Sequence, residues 1–170
     1  MFRKATHDDV PNIMGIIEEA QAFLKENGVN QWQNNYPNYD VIGNDVNKGV
    51  SYVLEEDGNI VATIAVSYND ESTYDVIEGE WLTTGEYCVV HRLAVATSQK
   101  GRGIAAQILG HVEEMCKERG IPSIKVDTHV QNVPMRNLLL RTGFAYCGII
   151  FLRDGAARVA YEREVIDIAK

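Results

Sequence analysis

The stretch LAVATSQKGRGIAA, residues 93–106, decides how the rest of the chain is read. It follows YCVV (87–90), so that 87–95 forms a largely apolar run of the kind that makes a central strand covered on both faces. After it come Gly101 and Gly103. An amphipathic run from about 103 to 119 then puts Ile104, Ile108, Val112, Met115 and Cys116 on one face before Gly120 ends it. A strand that runs through two glycines into a helix leaves the free N–H groups of the helix start pointing at open space, and the small residues let a ligand come close. Lys100 and Arg102 add positive charge. Such a segment suits a phosphate or pyrophosphate; an ordinary tight turn is the other reading. The dinucleotide fingerprint G-x-G-x-x-G fails, because Ala106 holds its third glycine position, and the nucleotide loop G-x-x-x-x-G-K-[ST] is absent.

Upstream, residues 2 to 5 suggest a short strand. T-H-D-D (6–9) reads as a capping box, and Val10, Ile13, Ile17, Ala20 and Leu24 predict a helix near 8–27 that Gly28 stops. The amide-rich NQWQNNYPNYD (30–40) is expected to be loop, with a short helix from about 39 to 48. SYVLEE (51–56) and IVATIAVSY (60–68) flank Asp57-Gly58 as a hairpin, and the acidic stretch 69–85 is expected to be an irregular excursion. Downstream, PSIKVD (122–127) reads as a strand and Asn132 to Thr142 as a helix closed by Gly143. Two more strands are expected at about 144–152 and 157–166. The order predicts a mixed α/β sheet with helices on its faces, in a single domain spanning 1–170.

The 170 residues include 16 Lys and Arg against 24 Asp and Glu, a net charge of -8. That balance argues against a general nucleic-acid or anionic-membrane binder and leans toward cationic acceptors. Three scattered cysteines, Cys88, Cys116 and Cys147, suggest neither a disulfide framework nor a zinc site, and the histidines show no metal-ligand spacing. With no apolar stretch after Met1-Phe2-Arg3-Lys4, no signal peptide is expected, and a cytoplasmic location follows.

Residues Leu93-Ala94-Val95 through Lys100-Gly101-Arg102-Gly103-Ile104-Ala105 resemble the acetyl-coenzyme A loop of the GCN5-related N-acetyltransferase (GNAT) superfamily. That pattern is Arg or Gln, two residues, Gly, one residue, then Gly or Ala. Lys100, Gly103 and Ala105 hold these positions here, with Lys100 departing from Arg or Gln. Asn132 sits where the family often has an Asn near the pantetheine arm, and Gly143-Phe144 matches its Gly-Phe. The resemblance implies an acetyl-coenzyme A-dependent N-acetyltransferase of GNAT-like fold. In it the N–H groups from Gly101 to Ala106 hold the phosphates, and main-chain groups of Leu93, Ala94 and Val95 polarise the thioester. The acceptor implied is a small-molecule amine or a peptide. Where many members carry a Tyr as general acid, seven residues after the Asn, this chain has Leu139, with no Tyr anywhere from 132 to 142. A non-catalytic acyl-coenzyme A binding or sensing module is therefore the alternative.

For the base that deprotonates an ammonium, His91 is a candidate, two residues before Leu93 and so on its face of a regular strand; a buried histidine held by a hydrogen bond is the competing reading. Glu80 and Glu86 are acidic candidates, or else solvated loop acids. Arg92 reads as a surface or salt-bridged residue as readily as a substrate clamp. Trp32, Tyr36 and Trp81 line an acceptor pocket or form satellite packing, and Cys147 is expected to be a buried hydrophobe rather than an acyl carrier. Residues 144–165 offer strands for edge-to-edge pairing in a homodimer.

Overall fold

The structure is a computed structural model that describes residues 1–165. These form two compact units, Met1–Val66 with His91–His111, and Ser67–Val90 with the chain from Val112 onward.

The first unit begins with β1 (Phe2–Lys4), which pairs antiparallel with β2 (Ser51–Glu56), as β2 does with β3 (Asn59–Tyr68). Next to β3 lies β5 (Cys88–Val95), whose second half belongs to this unit. Helix α1 (Val10–Glu26) forms because its apolar residues recur every three or four positions. Ile13 and Ile17 are wholly buried and pack with Ile42 of α2 (Tyr39–Asn47), Val53 and Ala94. The start of α1 is fixed as the sequence predicts. The Thr6 N–H donates to the Asp9 carboxylate at 2.7 Å, and Arg3 grips the same carboxylate at 2.7 and 3.0 Å.

The hydrogen bonds from Arg3 hold the Asp9 carboxyl at about 2, below its ordinary 3.8. A depressed carboxylate stabilises the fold above its unfolded pKa and loses that contribution as pH falls through the folded value. Asp9 is therefore expected to supply about 2 kcal/mol that disappears between about pH 4 and pH 2. Urea midpoints across that range should converge for wild type and Asp9→Asn at the acid end and separate above pH 4.

In the second unit the first rungs of β5 pair parallel with β6 (Ser123–Thr128). Beyond β6 the order runs to β8 (Ala157–Glu164), β7 (Ala145–Phe151) and the two-residue β4 (Glu78–Gly79), all antiparallel. The sheet is thus mixed, with helices flanking it, as expected. Helix α3 (Ile104–Arg119) contributes its second half to this unit, with Val112 and Cys116 wholly buried. Helix α4 spans Val133–Arg141. Ile166, the last residue of the expected final strand, lies outside the described residues.

The irregular excursion expected at 69–85 needs correcting, because it contains β4. Two residues give no periodicity, and the pairing partner lies some seventy positions away. What permits β4 is a glycine facing a glycine. At Gly79 (φ +134) a Cβ would sit 2.1 Å from the Cys147 carbonyl oxygen, and at Gly148 (φ +150) one would sit 2.2 Å from that of Glu78. Alanine at either position meets rigid backbone in a conformation that side chains avoid. Gly148→Ala is expected to lower stability by about 3 kcal/mol, read from the urea midpoint. The strand that carries the expected dimer pairing is also narrower than 144–165: β8 is interior, and β4 covers Gly148 and Ile149 of β7.

Candidate active site

The parallel ladder between β5 and β6 has only the rungs Cys88↔Ile124 and Val89↔Lys125, whereas β6 continues against β8 as far as Thr128. Leu93, Ala94 and Val95 lie past the last rung. The chain then leaves β5 through a hydrogen bond from the Ala96 N–H to the Val61 carbonyl (2.9 Å). It turns at Thr97–Gln99, where the Thr97 N–H donates to Glu19 at 3.1 Å. Gly101 and Gly103 take left-handed φ values of +85° and +73°, and a Cβ on either would meet nothing within 4 Å. Among the described residues, no main-chain N–H from Gly101 to Ala106 donates to another group of the protein. These donors open a cradle at the start of α3 whose chemistry fits a phosphate group.

The charge near the loop is less than the sequence suggests. Arg102 is exposed and bonded to Gln99 and, at 3.3 Å, to Glu56. The Lys100 ammonium stands 4.0 Å over the Phe23 ring, where it is still free to face an anion.

Arg92 is the kink in β5, with φ +53. Its guanidinium donates twice to the Asp45 carboxylate, at 2.7 Å each, and once to the Tyr36 hydroxyl at 3.1 Å. Burial works against its charge, and Asp45 overrides burial so that its pKa ends above the ordinary value. Of its two readings, the structure therefore selects the salt bridge. The left-handed residue also interrupts strand alternation, so spacing by two does not put His91 and Leu93 on one face. His91 is half-buried.

The second unit holds a cavity of about 350 Å³ lined by Tyr74, Trp81, Tyr87 and Lys125, with Asp75 and Glu80 also contributing. The Tyr74 hydroxyl donates to Asp127 at 2.7 Å; burial first, then that carboxylate, pushes its pKa well up. The Trp81 indole N–H donates to the Tyr74 carbonyl at 2.9 Å. The next residues are latched by the wholly buried Glu162, whose carboxylate accepts from the Leu82 N–H (2.6 Å), the Thr83 hydroxyl (2.5 Å) and the Ser123 hydroxyl (2.6 Å). Glu80 lines this cavity and Glu86 does not; both are exposed. Of the three aromatics expected at an acceptor pocket, Trp81 lines it. Trp32 and Tyr36 belong to the first unit, where Trp32 packs on the α1–α2 core and Tyr36 meets Arg92.

Asn132 is the N-cap of α4, its side chain accepting from the Met135 N–H at 3.3 Å. Leu139 is wholly buried. Tyr161, which sequence reasoning leaves without a role, accepts from the Arg136 guanidinium at 2.8 Å. Lys125, Tyr74 and Glu162 were also missed. For Lys125 and Glu162 the one available signal was a charged residue inside a strand. Among the described residues no cluster of metal-ligating side chains occurs.

All three thiols are buried. A hydrogen bond with Cys116 and then burial raise the Cys88 pKa; burial and then Glu162 raise that of Cys147. The native protein is expected to react with a disulfide reagent at least about tenfold more slowly than the urea-unfolded chain. A fast native thiol would reopen an acyl-carrying role.

A mixed sheet whose β5 runs through a glycine-rich turn into a helix start defines an acetyltransferase scaffold. The model of the Acetyltransferase (GNAT) family matches residues 17–144, and the chain belongs to that family. It is 36% identical to a GNAT-family acetyltransferase of Streptococcus agalactiae, whose crystal structure superposes with a TM-score of 0.89 over 96% of this chain and 94% of that one. It is 24% identical to the uncharacterized N-acetyltransferase YesJ of Bacillus subtilis, over 95% of this chain and 88% of that protein. The PaiA N-acetyltransferase of Thermoplasma acidophilum, solved in complex with coenzyme A, shares the fold at 14% identity. Its TM-score is 0.70, with 96% of this chain and 98% of that one covered.

Proposed function

We propose that this protein transfers an acetyl group from acetyl-coenzyme A to a primary amine of a small molecule or peptide. The observation that carries the reading is the row of N–H groups from Gly101 to Ala106, unpartnered among the described residues and opened by two left-handed glycines at the start of α3. Those groups, with Lys100, would hold the cofactor's phosphates. Main-chain groups of Leu93 to Val95, beyond the last β6 rung, would align the pantetheine and face the carbonyl oxygen. The PaiA relative, which binds coenzyme A on the same fold, supports this assignment. The bound cofactor supplies the activated acyl group.

The chain's own task is to receive the amine and take its proton. One proton leaves the ammonium for a base. The amine nitrogen then forms the amide as the thioester C–S bond breaks, and its second proton ends on the thiol. His91 in the first unit and Glu80 in the second are the groups proposed for the base; Glu86 stands outside the cavity lining. Removing the true base should cost about a hundredfold in kcat. His91→Ala and Glu80→Gln, assayed by thiol release, distinguish the two, provided affinity for the cofactor is unchanged.

The first test is calorimetric titration with acetyl-coenzyme A and with desulfo-coenzyme A. Micromolar binding of both supports the assignment, and failure of both with folded protein removes it. The buried Leu139, which brings no hydroxyl from α4, favours the second reading of a binding or sensing module. Tight binding without acceptor-dependent thiol release across a broad amine panel would establish that reading instead.

A further inference from the structure

Lys125 is 5% exposed, yet among the described residues no hydrogen bond or ion pair meets its ammonium. It stands 4.3 Å from the centre of the Trp81 ring and 4.4 Å from that of Tyr87, at the wall of the 350 Å³ cavity. A buried cation without an anion is costly, and two aromatic faces offset that cost only in part. The buried carboxylate in the neighbourhood, Glu162, already accepts from Leu82, Thr83 and Ser123, and it acts on Lys125 only through space. The strand that carries Lys125 is held on both sides by β5 and β8, so the side chain is not placed there by a mobile loop. Burial accordingly lowers its pKa.

The cavity is polarised in one sense. Its enclosed charge is the cation, while its carboxylates, Asp75 and Glu80, are exposed, Asp75 acting on Lys125 through space without a contact. A polyamine or an aminoglycoside would bring positive charge against an ammonium that already lacks a partner. A molecule with an anion at one end and an amine at the other matches both ends, and the rings of Trp81, Tyr87 and Tyr74 suit an apolar or aromatic body between them.

We propose that this cavity binds an amine that also carries a carboxylate, an amino acid or small amino carboxylic acid, with the carboxylate on Lys125 and the amine toward Asp75 and Glu80. The proposal rests on the acetyl-transfer reading above for its consequence, namely that such a molecule is the acceptor. Lys125 is then a specificity-determining residue, and the net acidic charge of the chain misleads about the acceptor.

The experiment compares matched pairs, phenylalanine with phenethylamine and leucine with isoamylamine. Each is titrated calorimetrically into the protein, alone and in the presence of desulfo-coenzyme A, and assayed by thiol release with acetyl-coenzyme A. The amino acid of each pair is expected to be preferred by about tenfold or more, as one charge-assisted contact gives. In Lys125→Met and Lys125→Gln the preference should collapse, with the affinity for desulfo-coenzyme A unchanged. Both variants are expected to fold, since each removes an unpaired buried charge. Equal use of acid and amine by the wild type, binding of neither, or a preference that survives in both variants would overturn the proposal. Loss of coenzyme A binding alone, with the amino acids still binding, would instead sink the transfer reading.

Discussion

Gly103→Asp is expected to fold normally and to lose affinity for coenzyme A by about a hundredfold or more. Gly103 sits at φ +73 with no atom within 4 Å of where a Cβ would go. The substitution therefore meets no clash, and its backbone strain is about 1 kcal/mol, since aspartate tolerates the left-handed region better than most residues. For a chain of this length that moves the melting temperature by about 2–4 °C. The new carboxylate, however, stands at the N–H groups from Gly103 to Ala106, which have no partner among the described residues. It satisfies those donors itself and repels any phosphate that approaches. Forfeiting two or three charge-assisted hydrogen bonds is worth about 3 kcal/mol or more, or two decades in Kd. Gly28→Asp is the matched control, because Gly28 has φ +70, equal open space and a place at the other end of a helix. Its carboxylate stands at the negative end of α1, so it should lose somewhat more thermal stability than Gly103→Asp, with coenzyme A binding intact. Equal loss of affinity in both variants would mean that backbone strain, not the cradle, was being read.

The largest loss of stability is expected from Asp45→Ala, about 3–5 kcal/mol in urea unfolding. Asp45 is 7% exposed and meets two of the three Arg92 nitrogens at 2.7 Å. Its removal leaves a buried guanidinium, at the left-handed residue of β5, with the Tyr36 hydroxyl as its remaining side-chain contact. Arg92→Met together with Asp45→Leu removes both charges and should recover most of the loss, because a buried ion pair stabilises little beyond a packed apolar pair. A double variant no more stable than Asp45→Ala would show that the kink in β5 needs the ion pair itself. Since Arg92 adjoins Leu93, Asp45→Ala should also weaken coenzyme A binding, an effect that a mere loss of global stability would not produce well below the unfolding temperature.

The elements with a strong local signal were legible from the residues. The period of Val10 to Leu24, the capping box at Thr6, the hairpin around Asp57-Gly58 and the strand–glycine–helix run at 87–119 each depend on neighbours in sequence, and each appears within a residue or two of its expected place. The glycine-rich turn at 101–103 belongs to the same class, because a helix start needs only its own glycines to expose its N–H groups. What the residues left open or missed needed a distant partner. Two residues of β4 exist because Gly79 meets Gly148. Arg92 became a structural ion pair because α2 delivers Asp45 to it, and Lys125, read simply as part of a strand, acquired its surroundings from Trp81 and Tyr87.

By itself, then, the sequence determined the family, the order of elements and the loop that suits a phosphate, all of which rest on spacing along the chain. The tertiary structure alone decided which charges are spent inside the protein and which are left to meet a ligand. Composition counts Arg102 and Lys125 as equal cations. The fold gives one to solvent and Glu56, and encloses the other between two aromatic rings with no ion-pair partner among the described residues. Desolvation and pairing are properties of neighbours in space, and no spacing in sequence encodes them.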